Sequence, residues 1–148
     1  MEFVTNWSDE AIERLHGYED KYSSREYFLA MVGRDVVKYS KKWMPKWSAA
    51  FDYGCGPGFL LSELSKSGYK TTGMDFTHKS VDIANEKLQG DGNFEGAYYF
   101  ENFPEGKKYD VIFCVEVIEY LSDMYLDDMF SKFRKLLNGG GESNPNYA

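Results

Sequence analysis

The feature that most constrains this chain is Phe51-Asp-Tyr-Gly-Cys-Gly-Pro-Gly58, a short apolar run that opens into three glycines spaced two apart. Glycine admits positive φ and puts no Cβ in the way of an approaching ligand. Phe59 to Lys66 then reads as a helix. A helix starting beside such a loop offers free N–H groups and the positive end of its dipole to an anion. Pro57 gives up one N–H and stiffens the turn. Asp52, just inside the strand end, puts a carboxylate where it can accept hydrogen bonds from a ligand or orient the loop.

The spacing separates this loop from two better-known phosphate binders. A dinucleotide fingerprint, G-x-G-x-x-G/A, needs a third small residue for close helix–strand packing. Counted from Gly54 that position is Phe59, and counted from Gly56 it is Leu61. The Gly-Lys-Ser/Thr of a nucleoside-triphosphate loop is absent. What remains is G-x-G-x-G behind an acid, a pattern that also suits a tight turn with no ligand. Asp75, 17 residues past Gly58, closes the next predicted strand. An acid there can receive both hydroxyls of a ribose; it can equally serve as a helix-entry acid ahead of Thr77.

Around this segment the pattern is strand–helix alternation. Ala49–Tyr53 reads as a first strand and Tyr69–Met74 as a second. Thr77 is placed to cap a helix through Leu88, which the glycines of Gln89-Gly-Asp-Gly92 end. Ala97–Phe100 reads as a weak third strand. Tyr109–Val115 is a nearly continuous apolar run suited to a buried parallel position. Ser122 is placed to cap a helix whose Leu126, Met129, Phe130, Phe133 and Leu137 share a face, and Gly139 ends it. Such alternation implies parallel βαβ units, which bind ligands outside the carboxyl ends of their strands.

Residues 1–47 read as a helical preface, with a helix start at Ser8 and a capping box at Ser23-Ser-Arg-Glu26. Phe28, Met31, Val32, Val36, Tyr39 and Trp43 recur at helical steps, and Pro45 stops that helix. The expected division is therefore a preface over 1–47, a core over 48–141 and a polar tail over 142–148. No internal repeat or low-complexity tract interrupts it.

Composition narrows the partners. A 43% apolar and 18% aromatic content argues against disorder, and a net charge of -7 disfavours a non-specific grip on nucleic acid. Arg34, Lys38, Lys41, Lys42 and Lys46 cluster, while Glu116 to Asp128 holds five acids and no base; both stretches read first as solvated helix faces. Cys55 and Cys114 form no C-x-x-C pair and lie far from His16 and His78, so neither a zinc site nor a disulfide framework is expected. No leader and no membrane-length apolar run is evident, which points to a cytoplasmic setting without membrane contact.

With these residues in view, the chain is similar to class I S-adenosylmethionine-dependent methyltransferases. Phe51–Gly58 resembles their first motif and Gly73-Met-Asp75 their second. Lys108-Tyr-Asp-Val-Ile-Phe-Cys-Val-Glu-Val-Ile-Glu-Tyr-Leu121 resembles their fourth-strand segment, most of all that of ubiquinone-biosynthesis O-methyltransferases. The resemblance covers about residues 47–141. It implies an α/β, Rossmann-like parallel sheet with flanking helices, S-adenosylmethionine as cofactor and a small-molecule acceptor. By the same resemblance Gly54, Cys55, Gly56 and Gly58 shape the methionine end of the cofactor site, with Asp52 in support. Asp75 binds the ribose, Phe76 lies beside the adenine, and Cys114 and Val115 border the sulfonium.

The chain also departs from that pattern. Aligned on Pro104, the acid that the family places after the third strand falls on Tyr99, and Glu101 comes two residues late. The usual Glu-His after the fourth strand is Glu119-Tyr120, leaving Glu116 and Glu119 as the nearest candidates for a general base. Residues 142–148 do not resemble a fifth strand, so the usual C-terminal strands are expected to be lacking. The fourth strand then becomes an edge that a partner chain or a second copy would cover. Tyr18, Tyr22 and Trp7 are candidates for a lid or for ordinary packing. Methyl transfer is the leading expectation, a cofactor-binding module without catalysis the alternative, and a nicotinamide-dependent reductase the weakest.

Overall fold

In the computed structural model, which describes Glu10, residues 28–43 and residues 49–139, four parallel strands make one sheet. The helix Phe28–Trp43 (α1) leads into Ala49–Tyr53 (β1), Phe59–Lys66 (α2), Lys70–Asp75 (β2), His78–Lys87 (α3) and Phe94–Tyr99 (β3). A short turn at Phe100–Asn102 precedes Val111–Phe113 (β4), another at Ile118–Tyr120 follows it, and Asp123–Leu136 (α4) is the last described helix. The order across the sheet is β3-β2-β1-β4. The chain builds outward from β1 to β3, then returns past β1 to lay down β4. Strand order therefore reverses between β1 and β4, and the glycine loop sits at that switch point, where open α/β sheets leave a crevice.

Both faces of the sheet are covered, which is why the strands are apolar nearly throughout. On one face Ala50 and Phe113 pack with Leu29 and Val37 of α1 and Leu60 and Leu64 of α2. The same face continues over β2 and β3, where Cys55, Leu61, Val81, Ala84 and Ala97 join α2 to α3. On the other face Phe51, Tyr53, Met74 and Tyr109 meet Val117, Leu121 and Met129. Tyr109 and Phe51 stack with ring centroids 5.0 Å apart, and Tyr53 meets Phe133 of α4 edge-on at 5.0 Å.

Several elements differ from the expectation. β2 and β3 run over 70–75 and 94–99 instead of 69–74 and 97–100. The earlier start of β3 spans Gly96, whose φ of 138° accompanies a register break opposite Thr71 and Thr72, so no alternating pattern marks it. β4 keeps three residues of the seven expected. Before it, Tyr109 turns to a single parallel bridge with Leu137, its N–H donating to the Leu136 carbonyl while the Asn138 N–H donates to its own. In α1 the buried stripe runs through Leu29, Gly33, Val36 and Val37, whereas Phe28, Met31 and Tyr39 are exposed. Gly33 lies on this stripe and faces Leu60 and Glu63 of α2. Phe130 is likewise exposed on α4.

Ser122 and Thr77 occupy N-cap positions, yet neither makes a side-chain cap bond. The Ser8 helix start, the Ser23–Glu26 capping box, the Pro45 stop, Trp7, Tyr18 and Tyr22 and the tail over 142–148 lie outside the described residues. No helix among the described residues is long and apolar enough to cross a membrane.

Candidate functional site

β1 and β2 hold the site together at their carboxyl ends. The N–H groups of Gly54 and Cys55 both donate to the Met74 carbonyl, at 2.7 and 2.9 Å, so the chain leaving β1 bends across the end of β2. Gly54, Gly56 and Gly58 all have left-handed backbones, with φ of 77°, 51° and 85°. At two of them packing as well as conformation requires glycine. A Cβ on Gly54 would overlap Cγ2 of Val117, and one on Gly58 would lie 3.1 Å from Cβ of Ala84 in α3. The loop is thus clamped between the segment after β4 and α3. Pro57 is fully buried within it.

Asp75 closes the clamp. Its Oδ2 accepts the Gly56 N–H at 2.9 Å, and its Oδ1 accepts the N–H and hydroxyl of Thr77 at 3.0 and 2.9 Å. Since the single Thr77 hydroxyl proton goes to Asp75, the Ser80 hydroxyl 2.9 Å away must donate to Thr77. The Phe76 N–H bears on the same carboxylate, so the chain itself engages its roughly four acceptor positions. Burial pushes the Asp75 carboxyl up, and the bonds from Gly56 and Thr77 pull against that shift. One side chain thus serves both the helix entry and the glycine loop.

Asp52 is the anomaly. It is 1% exposed, and its Oδ2 is buried without a hydrogen-bond partner among the described residues. Burial first, then the charge of Asp75, push its carboxyl up to about 8. Among the described residues neither carboxylate has an ion-pair partner. Burying a carboxylate without compensation is costly, so the pair favours either a proton or an incoming cation.

The remaining predicted residues divide. Cys55 and Cys114 are free thiols in the same electrostatic neighbourhood. Burial, then Asp52 and Glu119, push Cys114 up to about 12; burial, then Asp75 and Asp52, push Cys55 well above its ordinary value. Phe76 stands edge-on to Tyr53 at 5.4 Å and tilted to Phe100 at 5.8 Å, lining the β2–β3 side. Cys114 belongs to the face of Phe51 and Tyr53, while Val115 packs on the opposite face against the α1–α2 cluster. Glu116 and Glu119 are exposed, and Glu116 is the one described non-glycine residue with positive φ, at 59°.

Three participants, Val117, Ser80 and His78, were given no site role from the sequence, and Thr77 was read only as a helix cap. Val117 buttresses Gly54, Thr77 and Ser80 orient Asp75, and His78 stacks on Tyr99 with centroids 3.8 Å apart. Only the Asp75-Phe-Thr77 spacing announces its role locally, since Asp commonly accepts the N–H two residues on.

With this geometry in place, residues 50–141 match the model of the family described as methyltransferase domain. The ubiquinone biosynthesis O-methyltransferase of Actinobacillus pleuropneumoniae is 30% identical over 80 residues, covering 49% of this chain and 34% of the relative. That of Coxiella burnetii is 28% identical over 118 residues, covering 77% and 50%. Aligned, the chain spans a third to a half of the length of these curated relatives. A SAM-bound amino pentose methyltransferase of Micromonospora echinaspora superposes with a TM-score of 0.67 at 18% identity, over 82% of this chain and 52% of the other, a likeness of fold. A four-stranded parallel sheet with its glycine loop at the switch point, matched over most of its length by the family model, places the chain: it belongs to the class I methyltransferase domain family.

Proposed function

We propose that this chain binds S-adenosylmethionine across the carboxyl ends of β1 and β2 and serves methyl transfer to a small-molecule acceptor. The observation that carries the reading is the Oδ2 of Asp52, buried beside Asp75 and without a hydrogen-bond partner or a balancing cation among the described residues. The cofactor's ammonium and sulfonium fit that need, and the relatives' names support a small-molecule acceptor. When bound, S-adenosylmethionine supplies a methyl already made electrophilic by the sulfonium. The chain's part is to bind, orient and exclude water. Gly54, Cys55, Gly56 and Gly58 form the cradle for the methionine end, with Asp52 taking the ammonium. Asp75 takes the ribose hydroxyls, sharing its oxygens with the Gly56, Phe76 and Thr77 groups that already bond to it, Phe76 faces the base, and Cys114 and Val115 border the sulfonium side. Calorimetric titration tests this directly: S-adenosylmethionine and S-adenosylhomocysteine bind, and NAD does not. Asp75→Ala weakens both adenosyl ligands at least tenfold. Because Asp75 also anchors the Gly56 N–H, Asp75→Asn, which keeps one acceptor, serves as the folded control. Binding of NAD alone, or unchanged affinity in both variants, refutes the reading.

A module that binds the cofactor without turnover is the second reading. The exposure of Glu116 and Glu119 favours it, because neither candidate base sits in a water-poor setting. Tight adenosyl binding with no methyl transferred to any small phenolic or amine acceptor would select it. The free thiols suit a cytoplasmic setting, and no nucleic-acid or membrane partner is proposed. Among the described residues the outer edge of β4 is unpaired, the Leu137 bridge reaching only Tyr109 before it, and there we propose a partner chain or a second copy. Sedimentation across a range of concentrations, with the chain alone and with candidate partners, checks this. A monomer that takes up no added chain overturns it.

A further inference from the structure

Two carboxylates share one face of the sheet where β1 and β2 end. Asp52 pairs in register with Gly73, and Asp75 lies two residues further along β2, so side-chain alternation turns both acids to the same side. Both are buried, at 1% and 8% exposure, but their surroundings differ. Asp75 accepts the Gly56 N–H and both the N–H and the hydroxyl of Thr77, donors that favour its ionised form. The Oδ2 of Asp52 is buried without any such donor. When like charges are buried together, the acid with donors keeps its charge and the other takes the proton. The proton therefore belongs to Asp52, whose carboxyl burial and the charge of Asp75 push up to about 8. The other described titratable groups around β1 bring it no positive charge. Cys55 on the loop and Cys114 after β4 are thiols held up by burial first and by the acids after it, and Glu116 and Glu119 beyond them are exposed acids. On α2, Glu63 takes Lys66 at 3.0 Å and Arg34 of α1 at 3.7 Å. Elsewhere on α1, Lys41 lies over Tyr69 and Lys42 over Tyr39, while Asp35 and Lys38 are exposed. On β2, Lys70 donates to the Gly92 carbonyl, and Asp110 ahead of β4 accepts the N–H of Ala49, the first residue of β1.

Resting on the cofactor reading above, we infer that Asp52 carries a proton in the unliganded chain and releases it to solvent when the ligand's ammonium reaches it, so that binding at this site is coupled to pH. The exchange balances. The O–H bond of Asp52 breaks, the proton passes to the buffer, and the carboxylate left behind faces a cation of equal and opposite charge. Asp75 stays ionised throughout, because its donors come from the loop and the helix entry and not from the ligand. Buried charge is costly alone and tolerable in a pair, so Asp52 ionises only as the cation arrives. Acid therefore loosens the ligand: removing the proton draws on the binding energy wherever the medium lies below the folded value of Asp52.

The test is calorimetric titration of the full chain with S-adenosylhomocysteine, which carries the ammonium but no sulfonium. Repeating it in buffers of different ionisation enthalpy counts the protons exchanged. At about pH 6.5, roughly one proton should be released per ligand bound. The Kd should fall about tenfold per unit from about pH 5.5 to about pH 7.5 and level off past about pH 8.5. An ordinary imidazole titrates near about 6.5, so a histidine origin would level the profile more than a unit earlier. Asp52→Asn should release no proton and give a Kd that is flat over the same window. Binding without proton release in the unaltered chain overturns the inference and leaves the cofactor reading intact, as does release that persists in Asp52→Asn. Failure to bind at any pH overturns the two together. The proton count and the pH profile of the unaltered chain decide the question even if the variant does not fold or bind.

Discussion

At the scale of the single residue, Asp52 offers the sharpest test of how the site is tuned. Its carboxyl titrates near 8 in the folded chain, against an ordinary value of 3.8, because it is buried and faces Asp75. A raised folded value means that the folded state binds the extra proton. The stability this confers is present in full below the unfolded value and lost as pH rises through the folded one. Each unit of difference is worth about 1.4 kcal/mol. Asp52→Asn removes the titration and keeps the shape. In urea titrations without ligand, the variant should gain on the parent steadily from about pH 4 to about pH 8 and gain nothing further above. A stability difference flat across that window would mean that Asp52 is already ionised and compensated. The Asp52 position is plain in the sequence, but its isolation is not. That isolation depends on which donors the fold brings near, and Gly56 spends its N–H on Asp75 instead.

At the scale of elements, the glycine loop is shaped as much by its neighbours as by any ligand. Gly54 has a φ of 77° and gives its open side to Val117, from the segment that follows β4. An alanine there carries a left-handed backbone penalty of about 1–2 kcal/mol and an overpacking penalty of about 1–3 kcal/mol. Gly54→Ala should therefore lower the unfolding free energy by about 2–5 kcal/mol in urea titration. The same change should cost about 1–3 kcal/mol less in a Val117→Ala background, where the clash is gone and the backbone penalty remains. Equal costs in the two backgrounds would show that Val117 is not the obstacle. This pairing marks where the sequence stops being legible. Local cues place the strands, the loop and Asp75, because spacing, glycine and strand-end acids act over a few residues. Contacts between distant segments leave no such trace: Gly54 against Val117, Gly33 against α2, or the register break at Gly96 that lengthens β3. The exposed face of α1 shows the same thing from the other side. Of the expected stripe Val32 and Val36 pack on the core with Leu29 and Val37, whereas Phe28, Met31 and Tyr39 are left exposed.

At the scale of the whole molecule, the proposed site draws on the ends of all four strands. Tyr53, Asp75 and Tyr99 end β1, β2 and β3, and Cys114 follows β4. A ligand that bridges these ends couples the βαβ half of the sheet to the returning strand, which is held to β1 by three residue pairs. The edge there is further tied by Asp110, whose carboxylate accepts the Ala49 N–H at 2.9 Å and an Asn138 side-chain N–H at 2.7 Å and whose own N–H donates to the Ala49 carbonyl. A ligand that binds only the folded chain adds about 2.7 kcal/mol at a hundredfold excess over its Kd. For a domain of this size that corresponds to a rise in Tm of roughly 5–15 °C. S-adenosylhomocysteine should produce such a rise in a calorimetric scan while leaving a single transition, because the ligand ties the strand ends into one unit. NAD at the same excess should leave the scan unmoved. If S-adenosylhomocysteine instead split the scan into two transitions, the β4–α4 segment would be unfolding apart from the rest, and Cys114 and Val115 could not border the bound ligand.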